Sequence, residues 1–396
     1  MVQICFQRKT RISLVLIAIL LFSSSCTSTY LGRLIIWNFN GYDGYKKYPI
    51  QQVQNSSTTH KFEKSKKSLL SFLKLHDGEL PPHKNFEELL KNNETTSFIV
   101  IKNNTIYYER YFHGTFRDSI RPAFSVSKSV LSLLIGIAID EGEINGINDL
   151  ISDYLPELKE NELFPITIQQ LLTMSSGIEH YQSYGFLPWG SDIRVGMSPD
   201  VQGLVLSLKS EEKPGRSFLY HNQVPILLAM ILKRATGKTI SRYTEEKLWK
   251  RLGMEYSAFW ILDSREAKFE KTDGGFNARS IDYAKLGQLV LNQGQWHGKQ
   301  IISKNWIKES TSPDFSKKYL LNLYNRKGLY YKYLWWGVVT NTAYAPIADG
   351  RYGQFLFVDH ESDVVIVRNG TGMGKISHKQ WYGLLMDIAR QIKTIN

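Results

Sequence analysis

Ser125-Val126-Ser127-Lys128 sets a hydroxyl and an amine three residues apart, which on a helix is one face and about one turn. An ammonium held beside a hydroxyl and partly desolvated can lose its proton near neutral pH or stabilise a neighbouring anion. That is the chemistry of a nucleophilic serine. The pattern alone decides little, because Ser71-Phe72-Leu73-Lys74 and Ser210-Glu211-Glu212-Lys213 match it equally well. Context separates them. Ser71 and Ser210 stand among charged residues, whereas Ser125 lies where an extended segment containing Pro122 turns into a strongly apolar helix over about 126–142. Its hydroxyl there sits near the unpaired N–H groups of the first turn. Helix capping is the competing role for an isolated serine so placed.

A second element shifts that balance. Tyr220-His221-Asn222 is the only Tyr-x-Asn in the chain, and it opens a second apolar helix, 223–236. A phenol beside a lysine ammonium can have a lowered pKa and exchange protons with a serine and a leaving group. Asn222 can orient the lysine or hydrogen-bond an acyl carbonyl. The aromatics Tyr181, Tyr184 and Trp189 fall in one loop, 181–189, and are candidates to cover an apolar substrate chain. Packing of that loop on its own domain is the alternative. The nine histidines are scattered without a His-Glu-x-x-His, so neither a metal nor a cofactor is expected. Asn369-Gly370-Thr371-Gly372-Met373-Gly374-Lys375 lacks the first glycine and the Ser/Thr of a phosphate-binding loop, and reads as a connection to the last helix.

These residues need a scaffold, and the apolar periodicity supplies one. A short helix over 86–94 precedes a hairpin with strands 97–101 and 105–111 and Asn103-Asn104 at the turn. From 150 to about 310 the pattern is mainly helical. Strands return at 334–339, 353–359 and 363–368, followed by an amphipathic helix over 379–392. The order predicts an α/β (α+β) fold: an antiparallel sheet flanked by helices and completed by both chain ends, with an inserted, mainly helical subdomain. The sheet subdomain would comprise about 61–125 and 330–396, and the helical one about 126–329. Clefts between such parts are favoured ligand sites.

The N-terminus reads separately. Arg8, Lys9 and Arg11 precede the apolar run 12–22, which fits a signal-peptide core and is short for a bilayer span. Ser23-Ser24-Ser25-Cys26 then resembles a lipoprotein signal, in which Cys26 becomes the lipidated residue. Residues 1–26 are therefore expected to be a signal peptide and 27–60 a tether with a segment laid over the domain. Ordinary secretion and a retained anchor helix are the alternatives. Cys5 and Cys26 are the only cysteines, so the domain beyond residue 26 has no disulfide, thiol nucleophile or cysteine-type zinc site. The net charge of +12 comes with no nucleic-acid motif, and nucleic acid is not expected as a partner. A cell-envelope location, facing the periplasm or exterior, is expected, with contact to the membrane through the lipid.

Taken together, Ser125-x-x-Lys128, Tyr220-x-Asn222, Leu171–Gly177, Arg251–Met254, Gly274–Gly287 and Leu334–Gly337 resemble the serine β-lactamase and penicillin-binding-protein superfamily. The likeness runs from about residue 95 to the end, and is strongest to the class C-like esterase and amidase branch. It implies a β-lactamase-like fold and an acyl-enzyme on Ser125, with Lys128 and Tyr220 sharing the proton transfers. It also implies an oxyanion hole formed by the backbone N–H of Ser125 and one near Arg351. The family's usual Lys-Thr-Gly or His-Thr-Gly is absent. In its place stands Ala348-Asp349-Gly350-Arg351-Tyr352-Gly353-Gln354, akin to the Gly-x-x-Gly-Gln form of the branch that includes 6-aminohexanoate-dimer hydrolase. The missing cation would have held a β-lactam or D-alanyl carboxylate. A small-molecule amide or ester is therefore the expected substrate. A D-alanyl-D-alanine carboxypeptidase or β-lactamase, and a non-catalytic envelope binding protein of the same fold, are the alternatives.

Overall fold

The computed structural model describes residues 27–37, 41–67, 73–74, 80, 84–163, 165–181, 190–339 and 343–393. Cys26, Tyr184 and Trp189, named above, lie outside the described residues. The N-terminal stretch holds helix α1 (Tyr30–Trp37) and strands β1 (Ile50–Val53) and β2 (Glu63–Lys64). Far from trailing, it is built into the domain. Arg33 donates to the Ser198 carbonyl at 2.9 Å, and Tyr48 donates to the Gly196 carbonyl at 2.5 Å. Trp37, Tyr48, Met197 and Ile261 close a small apolar cluster of their own.

Helix α2 (Phe86–Asn92) starts under an Asn85 cap and leads to the hairpin β3 (Thr95–Lys102) and β4 (Thr105–Tyr111). Asn103 and Asn104 turn it at φ 49° and 59°, a region asparagine tolerates better than most side chains. Strand β5 (Arg121–Pro122) runs into helix α3 (Val126–Asp140), buried from Val126 to Ala138. A helix apolar all round needs cover on every side. It comes from the sheet, from the helix Val224–Thr236 and from Trp306, whose indole donates to the Ser132 carbonyl at 3.1 Å.

The insertion contributes α4 (Ile168–Leu172), α5 (Ser191–Met197) and α6 (Val224–Thr236). The insertion is mainly helical, as expected, but it also contains the short strands β6 (Ala258–Ile261) and β7 (Phe276–Ala278). These two strands join β1 and β5 in a four-stranded sheet ordered β1-β6-β7-β5. At two to four residues each, the strands are too short to show a period of two in sequence. Helix α7 (Ser280–Leu291) follows, and it packs on the larger sheet.

That sheet is completed by β8 (Leu329–Lys332), β9 (Trp335–Val339), β10 (Tyr344–Gly350), β11 (Gln354–Asp359) and β12 (Val364–Gly370). Its order is β8-β9-β10-β11-β12-β3-β4-β2, antiparallel except for the β2–β4 pair. Alternate residues face opposite layers. Leu356 and Val365 meet α7 at Gly287, where a Cβ would come within 2.7 Å and 2.5 Å of them. Phe355 and Arg368 instead meet Trp381 of the last helix, α8 (His378–Lys393). Antiparallel sheet and flanking helices thus agree with the expected class.

Arg368 fastens the strand ends nearest the site. Its buried guanidinium donates to Thr95 Oγ1 and to the carbonyls of Asn93, Gly353 and Gly372 at 2.6–3.0 Å. Trp381 covers it at 4.0 Å. Burial lowers its pKa to about 9, still high enough to keep the charge at neutral pH. Gln354 adds a second clasp, donating to the Gly370 carbonyl at 2.6 Å and to that of Arg351 at 3.1 Å.

Candidate active site

Ser125 follows Phe124, whose φ of 46° is unusual for an aromatic residue and turns the chain sharply into α3. Although Ser125 occupies the N-cap position, its side chain makes no capping bond. The hydroxyl is committed elsewhere. One turn on, Lys128 Nζ lies 3.0 Å from Ser125 Oγ, 2.7 Å from Asn222 Oδ1 and 2.5 Å from the Asp273 carbonyl. Each of the three ammonium protons therefore has one acceptor. Burial lowers the Lys128 pKa to about 8, partly opposed by the negative charges of Asp273 and Asp192.

Tyr220 arrives from the segment before α6. Its hydroxyl hydrogen-bonds with Ser125, and its ring lies beneath Lys128 Nζ at 5.1 Å from the centroid. Trp336 stacks on it at 5.5 Å and Tyr331 meets it edge-on at 5.9 Å. The expectation of a lowered phenol pKa is not met. Burial pushes it above its ordinary value, and the carboxylates Asp349 and Asp192 push the same way, while the Ser125 bond opposes them. Lys128 is the group whose protonation changes near neutrality. Tyr220 keeps its proton.

Asn222 does what a lysine-orienting amide should. Its carbonyl oxygen holds Lys128, and its Nδ2 donates to Asp192 Oδ1 at 2.8 Å, which fixes which way the amide points. His221 stays out of the chemistry. Its Nδ1 accepts from Gln223 N, its Nε2 bonds the Glu179 carbonyl at 2.9 Å, and burial lowers its pKa to about 4.

Strand β10 brings the third side of the site. Gly350 passes so close to the start of α3 that a Cβ there would stand 2.4 Å from the Ala123 carbonyl and 3.3 Å from Ser125 N. Only glycine fits that approach. Arg351 begins the turn that follows, with an exposed side chain resting over Tyr352 at 5.0 Å. Ala348 is fully buried. Of the loop aromatics only Tyr181 is described. It is exposed, and its hydroxyl donates to Glu179 Oε2 at 2.8 Å.

The Beta-lactamase family matches residues 83–383. The chain belongs to that family. The chain is 24% identical over 335 residues to the 6-aminohexanoate-dimer hydrolase of Paenarthrobacter ureafaciens, spanning 78% of this chain and 81% of that one. A solved Bacillus anthracis protein, provisionally named a 6-aminohexanoate-dimer hydrolase, superposes with a TM-score of 0.76 at 26% identity. That match covers 90% of this chain and 94% of the other. The teichoic acid D-alanine hydrolase of Staphylococcus aureus (strain MRSA252) is 24% identical over 289 residues, covering 69% of this chain and 66% of the relative.

Four further residues escaped the sequence reading. Asp273 acts through its backbone carbonyl, so its residue type carries no signal. Asp192 lies 30 residues from Asn222, and Trp336 was visible only as a family landmark. Asp349 stands inside the stretch with the missing lysine, where nothing in the sequence marks its carboxyl for a site.

Proposed function

We propose that this hydrolase cleaves an amide or ester through an acyl-enzyme on Ser125. The contact that carries the reading is Lys128 Nζ at 3.0 Å from Ser125 Oγ, on a lysine whose pKa is lowered to about 8. When Lys128 is neutral, two N–H groups still serve Asn222 and Asp273, and its lone pair faces the serine hydroxyl. Ser125 Oγ attacks the substrate carbonyl as its proton passes to Lys128. The tetrahedral oxyanion is received by the backbone N–H groups of Ser125 and Arg351, donors of a kind worth about 3 kcal/mol each. Tyr220, held protonated, gives its proton to the departing nitrogen or oxygen and is reprotonated from Lys128. A water then attacks the ester, passes its proton to Lys128, and the amine returns it to Ser125.

A phenol with a raised pKa is a weak acid, suited to strongly basic leaving groups such as an amine or an alkoxide. Ala348 leaves no cation for a substrate carboxylate, which favours linear amides and esters over β-lactams or D-alanyl peptides. Labelling the protein with a fluorophosphonate probe and with a fluorescent penicillin tests this, Ser125→Ala serving as control. Phosphonate labelling confined to Ser125, with turnover of simple esters or short amides, is the expected result. Labelling by neither would point to a binding protein, and penicillin labelling with carboxypeptidase activity to a cell-wall enzyme.

We also propose that the chain works at the cell envelope, tethered by lipid on Cys26. The apolar run 12–22 and the small residues before Cys26 support this. Radiolabelled palmitate incorporation that persists in Cys26→Ser would end the idea.

A further inference from the structure

A cavity of about 170 Å³ is lined by Trp336, Tyr324, Tyr382, His378, Arg326 and Asp349 among others. Trp336 is its connection to the site, being the ring stacked on Tyr220. Asp349 is the residue immediately before Gly350, the one pressed against the Ser125 amide. We propose that this cavity binds an alkylammonium group on the leaving portion of the substrate, with Asp349 as its counter-ion. Assigning the ammonium to the leaving portion rests on Tyr220 as the leaving-group acid.

The carboxyl is poorly satisfied for a buried charge. Its side chain is 12% exposed, it accepts one bond from Tyr382 Oη at 2.5 Å, and His378 Nε2 stands off at 3.6 Å. No lysine or arginine nitrogen lies within 4.0 Å of it among the described residues. Burial lowers the His378 pKa, so that imidazole is neutral at pH 7 and brings no charge. Arg326, from the turn before β8, is exposed and beyond ion-pair distance. Buried charges without a partner are costly, and a ligand that supplies the opposite charge removes the cost. The aromatic walls suit the same ligand. Trp336, Tyr324 and Tyr382 offer aromatic surface, to which ammonium groups are attracted.

Asp349 titrates in a useful range. Burial raises its pKa to about 7, opposed by the Tyr382 bond and the distant Arg326 charge. Above that pH it is an anion and the cavity should favour cations. Below it the carboxyl is neutral and the preference fades.

Two measurements separate this proposal from the hydrolase reading. Calorimetric titration of Ser125→Ala with n-butylammonium or butyrate reads the cavity directly, without turnover. Butylammonium should bind at least about tenfold more tightly than butyrate near pH 8, with the preference falling about tenfold near pH 6 and vanishing in Ser125→Ala/Asp349→Asn. Equal affinities, tighter butyrate, or a preference that survives Asp349→Asn overturns the proposal. The native chain should also cleave butyrylcholine with a kcat/KM about tenfold above that for its neutral isostere, 3,3-dimethylbutyl butyrate. Cation binding without hydrolysis of either ester leaves the cavity standing and removes the hydrolase reading. Hydrolysis of both esters at equal rates, without cation binding, does the reverse.

Discussion

Lys128 and Asp349 are largely buried titratable groups near Tyr220, and the protein treats them differently. Lys128 has three acceptors at 2.5–3.0 Å, one for each proton it can carry. Asp349 has one hydroxyl donor and a more distant imidazole, although a carboxylate can accept about four bonds. The lysine side is complete and rigid before any ligand arrives, as a catalytic group should be. The aspartate side is left short of partners where a cavity opens. Burial shifts both pKa values toward neutrality, down to about 8 for one and up to about 7 for the other. In the proposed reading, the completed group does chemistry and the incomplete one awaits a ligand.

The contrast breaks most visibly at Lys128. Lys128→Ala should lower kcat by about 10³–10⁴ toward any ester or amide, the scale of a lost general base. In the native chain kcat/KM should fall tenfold per pH unit below about 8, where Lys128 becomes protonated, and level off above it. A profile flat from pH 6 to about 9 would show that Lys128 is not the base whose ionisation limits the rate.

Tyr220→Phe comes next. It should cost about 10²–10³ in kcat for an alkyl ester or amide, and about tenfold or less for a p-nitrophenyl ester, whose leaving group departs without a proton. Equal losses on both substrates would mean that Tyr220 only positions Ser125.

At Asp349 the measurable quantity is stability. Its carboxyl pKa is about 7 in the folded chain against an ordinary 3.8. Stability from the neutral carboxyl is fully present below about pH 4 and is lost as the pH rises through about 7. Asp349→Asn removes that dependence. Its melting temperature should exceed that of the native chain near pH 8, by an amount reflecting a few kcal/mol, and match it near pH 4. Thermal melts at the two pH values check the sign.

The smallest effect belongs to Asp192, which reaches Lys128 through Asn222 and through its charge. Asp192→Asn should move the acid limb of kcat/KM down by a few tenths of a pH unit and lower its plateau about two- to fivefold. A larger loss would make Asp192 a direct participant.

Much of this arrangement was legible beforehand. The apolar run after Ser125 and its one-turn spacing to Lys128 suffice to put both on one helix, and the unique Tyr220-x-Asn222 marked the partner segment. The 95–111 hairpin, the strands β9, β11 and β12 and the last helix were legible because each is long enough to show its period. The four-stranded sheet was not, for its strands are too short. β10 hid for another reason, since Pro346 and Asp349-Gly350 read as breakers although the segment pairs on both sides.

The residue types and spacing determined, without any coordinates, which hydroxyl, amine and phenol were available for chemistry and that a lysine was missing near Ala348. Protonation states belonged to the fold. Tyr220 was expected to be acidified by its lysine neighbour, but burial and the carboxylates Asp349 and Asp192 push its pKa the other way. A sequence gives a group's intrinsic pKa, whereas the shift depends on desolvation and on charges brought near from distant segments. The same holds for Asp349: only the packing of β10 against α8 and the turn before β8 made that carboxyl the floor of a cavity beside Tyr220.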